Sequence, residues 1–194
     1  MAVDWGALLV GQLEFYWEVY LWPRLKGLTD EEFFWEPVDN CWNVRRGSDG
    51  RFVADWQWPP PEPEPVTTIA WRIVHVGSGC FANRASAFFG DGSVPDDATM
   101  FDPRHRPVDL PGNAADGLAF LHDSYQKWRD GIAGLNQAGI EAPLGPKGDD
   151  FSADPMAGLI LHISREAMHH GGEICVLRDL YRASGTSGRM LRPV

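Results

Sequence analysis

The stretch LILHISREAMHHGGEICVLRDLY, residues 159–181, decides how this chain is read. At about 100° per residue, Leu159, Ile163, Ile174, Leu177 and Tyr181 fall on one apolar stripe of a single helix. Glu166 and His170 project into the middle of that stripe, one turn apart. His162 and Glu173 lie close beside them, and His169 falls at the edge. A carboxylate on the buried face of a helix is costly unless it is paired or bound to a cation. Two side chains at i and i+4 stack on one face, so a helix can offer both to a metal. From the residues alone two readings stay open: a metal pair, or a buried hydrogen-bonded pair.

Working outward, Asp154-Pro155 supplies a cap and a proline for the start of this helix. Upstream, residues 113–136 read as a helix with Leu118, Leu121, Tyr125, Trp128, Ile132 and Leu135 on its buried side. Before it, Thr67 or Thr68 caps TIAWRIVHVGSGCFANRASAFFG, a helix that Gly90 terminates. Its His75 shares a face with Trp71, Gly79, Ala82, Ser86 and Phe89, where small residues admit a neighbouring helix closely. A histidine there is more often a satisfied core residue than a ligand. Arg72, Asn83 and Arg84 could reach a substrate carboxylate or sugar, although solvated surface is the expected role. The segment 91–112, with His105, reads as loop.

At the other end, Asp4 can cap a first helix carrying Leu9, Leu13, Tyr16, Tyr20 and Leu25, with Pro23 expected to kink or end it and Gly27 to follow its stop. Thr29-Asp30-Glu31-Glu32 is a capping-box pattern opening a short helix that Pro37 ends. Runs around Val44 and Val53 flank Gly47-Ser48-Asp49-Gly50 and predict a small hairpin. Residues 59–65, PPPEPEP, predict an extended polyproline strap. The tail with Arg182, Arg189 and Arg192 is expected to pack poorly. Four substantial helices, with the hairpin and strap (residues 41–65) inserted between the first two, predict an all-α four-helix bundle with ligand-type residues inside.

The totals narrow the function classes. With 194 residues the chain reads as one domain, 1–194, with a sizeable core. Twenty-seven acidic against 17 basic residues, a net charge of −10, disfavour nucleic acid and anionic lipid as partners. No apolar run approaches the ~20 residues of a membrane span, and the N-terminus lacks a signal pattern, so a cytoplasmic location is expected. Three cysteines without C-x-x-C spacing predict buried free thiols rather than disulfides. Nine tryptophans could build core or an aromatic pocket.

The order TIAWRIVH, then HISREAMHHGGEICVLRDLY, resembles the DinB-like metal-binding four-helix bundles. That superfamily includes mycothiol-dependent maleylpyruvate isomerase and the bacillithiol and mycothiol S-transferases. The resemblance implies a divalent metal held by a histidine on the second helix and two residues four apart on the last. These positions match His75, Glu166 and His170. Many members carry histidine where this chain has Glu166; the His-Glu-His variant belongs to the maleylpyruvate isomerase branch. His162, Glu173 and His169 are then candidates to support the ligands from behind. Three ligands leave a position open, and two imidazoles with one carboxylate suit zinc, with nickel, iron or manganese as alternatives. The activity implied is a thiol-dependent S-transferase or isomerase, with a small-molecule substrate and a low-molecular-weight thiol, mycothiol, as partners. A metal-dependent hydrolase and a non-catalytic, metal-stabilised binding protein are the alternatives. Homodimerisation through a helix face is compatible with this class.

Overall fold

The structure, a computed structural model, describes residues 3–186. Arg189 and Arg192 lie outside the described residues. The molecule is mostly helical, with one two-stranded hairpin.

Helix α1 covers residues 5–25 in three pieces: α-helical Trp5–Phe15, a π-helical turn Tyr16–Leu21, and α-helical Trp22–Leu25. Asp4 caps it, accepting from the Ala7 amide at 3.0 Å. The expected buried stripe is shifted: Leu13, Trp17, Leu21 and Leu25 are buried, whereas Tyr20 is exposed. The cause is the π turn, whose i→i+5 bonding holds more residues per turn and keeps every fourth side chain in line. Pro23 does not break the run. It stands in the first turn of the final α-helical piece, where a missing N–H is tolerated. Gly27, at φ +68°, takes the left-handed conformation that follows a helix end.

Thr29 and Glu32 form the predicted capping box on α2 (Asp30–Phe33), which ends well before Pro37. The hairpin forms as expected, β1 (Val44–Arg46) pairing antiparallel with β2 (Phe52–Ala54) around Gly47 and Gly50. The strap carries cis bonds at Trp58–Pro59 and Glu62–Pro63 in place of a uniform polyproline run.

Helix α3 covers residues 69–89: α-helical Ile69–Val74, π-helical His75–Ala82 and α-helical Asn83–Phe89. Thr68 is its cap. The hydroxyl is wholly buried, accepts from the Trp71 amide at 3.2 Å and donates to Asn43 Oδ1 at 2.9 Å. Thr68→Ala is therefore expected to cost about 1–2 kcal/mol, the loss of a buried cap that leaves the Trp71 amide without its acceptor. A lower urea midpoint at unchanged m-value checks it.

The segment after α3 is not all loop. Pro103–His105 forms a 3₁₀ turn, and His105 is buried with Nδ1 2.8 Å from Ser86 Oγ. Helix α4 (Ala114–Ala133) ends three residues short of the expected Asn136, which instead caps a small α5 (Gln137–Glu141). A 3₁₀ segment, Gly145–Phe151, leads into α6 (Met156–Thr186).

The four long runs contact one another in a ring: α1 touches α4 and α6, and α3 touches the same two. One hydrophobic cluster fills the space between them, with Trp17 stacked on Tyr125 at 3.9 Å and Trp128 fully buried. Gly131 lets the Phe89 ring lie against α4; a Cβ there would stand 2.1 Å from it. Each large apolar side chain buried in this way contributes roughly 1.5–3 kcal/mol. Among the described residues no helix is long and apolar enough to cross a membrane.

Candidate metal centre

Of the three residues singled out on α3 and α6, His170 neighbours both others, and His75 and Glu166 each place a donor atom within 4.8 Å of the other. Glu166 Oε2 lies 3.2 Å from His170 Nε2, and the His75 and His170 rings stand perpendicular with centroids 4.6 Å apart. On the other side of His170, Nδ1 is 2.7 Å from Glu173 Oε2. Glu173 thus grips the ring nitrogen that Glu166 does not, the arrangement by which a carboxylate orients a ligating imidazole. Arg72 stands 2.9 Å from Glu173 and fixes that carboxylate in turn.

His75 is stacked on Trp71 at 5.1 Å, nearly parallel. Burial lowers its pKa to about 4, with His170 and Arg72 adding to the effect. The imidazole is consequently neutral at physiological pH, the form that can donate a lone pair to a metal. Gly79 leaves room beside the ring: a Cβ there would lie 3.7 Å from His75 Nδ1.

A further donor enters from α3. Cys80, buried, groups with His75 and Glu166 so that one donor atom from each lies within 4.8 Å of the others. At about 100° per residue Cys80 would point about 140° away from His75. The π turn narrows that difference, because its i→i+5 bonding holds more residues per turn. Burial, with Glu166 adding to it, pushes the Cys80 thiol up to about 12, so it is a neutral thiol when no cation is near. A second group, His169, His170 and Glu173, offers donors equally close together on a more exposed face.

The supporting candidates separate. Glu173 bonds to His170 directly, while His169 stands 3.4 Å from Glu173 and edge-on to the His170 ring, and is largely exposed. His162 is exposed and lines the cavity beside Glu166. Arg72, Asn83 and Arg84 are not the solvated surface expected of them. Asn83 and Arg84 are buried, and Arg72 is held between Glu173 and His170. The three free cysteines conform to expectation, Cys41 and Cys80 buried and Cys175 half-buried.

The donor set fits a divalent cation. It combines imidazole, carboxylate and thiol on two rigid helices, with a carboxylate behind one imidazole. It also opens on space. A cavity of about 550 Å³ borders His75, Cys80 and Glu166, and the inserted hairpin walls it through Phe52, Val53 and Trp56. A smaller one of about 320 Å³ borders His170 and Glu173 beneath Trp42 and Trp58. The tryptophans therefore serve both purposes, Trp17 and Trp128 in the core and Trp56 and Trp71 around the site.

A family model described as the DinB superfamily matches residues 50–174. The chain belongs to the DinB superfamily. The match takes in His75, Glu166, His170 and Glu173. No curated protein and no solved structure matches the chain. DinB-superfamily proteins generally bind metals, and the candidate ligand groups described above agree with that property.

Proposed function

We propose that this DinB-superfamily protein is a four-helix bundle that holds one divalent metal through His75, Glu166 and His170 and catalyses a thiol-dependent transfer or isomerisation. The observation that carries the reading is the proximity of these three side chains from two helices, all on the wall of the smaller cavity, with Glu173 fixing His170. Zinc suits the donor set best, and nickel, iron and manganese share it.

A divalent cation in this position supplies a Lewis-acidic open site that lowers the pKa of a thiol. The protein's own residues do the rest. Trp71 packs flat against His75 and keeps its ring from rotating. Glu173 holds His170 through Nδ1, and Arg72 in turn holds Glu173. Phe52, Val74 and Trp71 give the cavity an apolar wall against which an apolar substrate can rest. His162, one turn before Glu166 on the cavity wall, is the basic side chain placed to take the thiol proton. The thiol sulfur then forms a bond to an electrophilic carbon, and the group displaced leaves with its bonding electrons. Mycothiol is the thiol favoured, with a small apolar electrophile as its partner.

The test uses protein purified without a histidine tag. Elemental analysis is expected to find about one equivalent of divalent metal per chain, the stoichiometry of a single three-ligand site. Conjugation of mycothiol to monobromobimane is expected to accelerate with the metal-loaded protein and to fall to the uncatalysed rate after chelation. A folded protein that takes up no zinc, nickel or manganese would sink the reading. Metal-dependent ester hydrolysis with no thiol requirement would instead point to a hydrolase.

A further inference from the structure

Two arginines line the large cavity that also borders Glu166. Arg84 lies on α3, four residues beyond Cys80, and Arg106 follows the 3₁₀ turn Pro103–His105. Arg84 is more than nine-tenths buried, and its Nε has no hydrogen-bond partner. Its guanidinium stacks over Phe101 at 4.6 Å, and its Nη1 donates to the Met100 carbonyl. Among the described residues neither Arg84 nor Arg106 makes an ion pair, although the chain carries 27 carboxylates against 17 lysines and arginines. The other inward-facing arginines do: Arg72 pairs with Glu173 and Arg178 with Glu32. A buried cation without a counterion is costly, and here a second guanidinium adds repulsion. Burial first, and then Arg106, lower the pKa of Arg84.

The pairing of these two arginines is built in. With its amide nitrogen turned toward the carbonyls, Asn83 donates to the His105 carbonyl at 3.1 Å and the Ser78 carbonyl at 3.3 Å. His105 Nδ1 is 2.8 Å from Ser86 Oγ. Both contacts tie the turn that presents Arg106 onto the helix that carries Arg84. An acidic chain has thus placed two positive groups together and given them no carboxylate of its own.

We propose that the cavity binds an apolar carboxylate, with its carboxylate on Arg84 and Arg106 and its apolar body against Phe52, Trp56, Val74 and Phe101. The proposal rests on the reading of this cavity as the substrate chamber of the metal site. A planar guanidinium fork matches a planar carboxylate, so the pair selects that group over a neutral polar one. Nine residues of α3 separate His75 from Arg84, on the order of 10 Å along the helix axis. A molecule spanning that distance carries an aryl or medium acyl body between its carboxylate and the atom that meets the metal-facing end. The cavity volume of about 550 Å³ suits a ligand of that size.

The test compares 2-naphthoate with its neutral isostere 2-naphthamide. Affinities are taken by calorimetry and by quenching of tryptophan fluorescence, on chelator-treated and zinc-loaded full-length protein. Naphthoate is expected to bind at least about tenfold more tightly than the amide in both forms, as charge-assisted hydrogen bonds do over neutral ones. Arg84→Gln and Arg106→Gln are each expected to reduce that preference to below about threefold. Arg106 is exposed, so Arg106→Gln decides the matter even where Arg84→Gln fails to fold.

Absence of binding, equal binding of acid and amide, or a preference that survives Arg106→Gln would overturn the proposal. So would a preference confined to the zinc-loaded form, which would put the carboxylate on the metal. Metal content measured on the same samples separates the two readings. A protein that binds no metal yet prefers naphthoate through its arginines keeps this inference and removes the metal.

Discussion

Glu32→Gln is expected to destabilise the fold by about 3–5 kcal/mol, the cost of removing one partner from a buried ion pair. The Glu32 carboxylate is almost entirely enclosed, and so is Arg178, whose Nε lies 3.1 Å from both of its oxygens. Arg182 adds a contact at 2.7 Å, and the Thr29 amide donates at 3.1 Å. One side chain therefore closes the capping box of α2 and neutralises two arginines of α6. The substitution leaves Arg178 charged, buried and short of a counterion, and it disturbs the chain reversal after α1, because Arg178 also donates to the Arg24 carbonyl. Burial alone would raise the pKa of Glu32, but the hydrogen bonds from Arg178, Thr29 and Arg182 outweigh it and the net direction is down. A depressed folded-state pKa contributes stability above the unfolded value and loses it as pH falls through the folded one. Wild type should accordingly lose stability below about pH 4.3, the ordinary glutamate value, along a steeper slope than Glu32→Gln. Urea titrations at neutral and acid pH measure both effects. A cost under about 1 kcal/mol at neutral pH would mean that the cluster is no better than a surface pair.

Much of this architecture is legible in residue order, and the exceptions have identifiable causes. Asp4, Thr29 and Thr68 announce helix starts because a short polar side chain beside an apolar periodic run has few other roles. Glu166 and His170 stand out because α6 is regular, so the i, i+4 rule applies without correction. That rule fails on α1 and α3, where each contains a π turn that no propensity signals. On α1 the turn moves the buried stripe from Tyr20 to Leu21, and on α3 it brings Cys80 round to His75. Arg84 and Asn83 are misread for a different reason. Charged and amide side chains are surface residues by default, and only the return of the distant turn at His105 buries them. The hairpin is readable from its turn, whereas its service as a cavity wall is not. That depends on Asp109, which accepts from the Phe52 amide at 2.9 Å from 57 residues away.

Metal content under single substitution is expected to divide the donors sharply. His75→Ala, Glu166→Ala and His170→Ala should each leave below about one tenth of an equivalent after desalting, since a site with two remaining ligands competes poorly with water. Cys80→Ser should retain the metal. His170 is the better third donor because Glu173 already holds its Nδ1 and leaves Nε2 beside Glu166. Cys80, in contrast, is a buried neutral thiol that would have to lose a proton to bind. Glu173→Gln should keep the fold and weaken metal affinity about 10–100-fold, the usual effect of removing the group behind a ligating histidine. Cobalt substitution gives an independent reading. Ligation by two histidines and a glutamate produces ligand-field bands alone, while a Cys80 thiolate would add a sulfur-to-metal charge-transfer band in the near ultraviolet. If that band appears and vanishes in Cys80→Ser, the π turn of α3 supplies two of the ligands itself. His170 would then be left to Glu173 and Arg72, and the donors would be His75, Cys80 and Glu166.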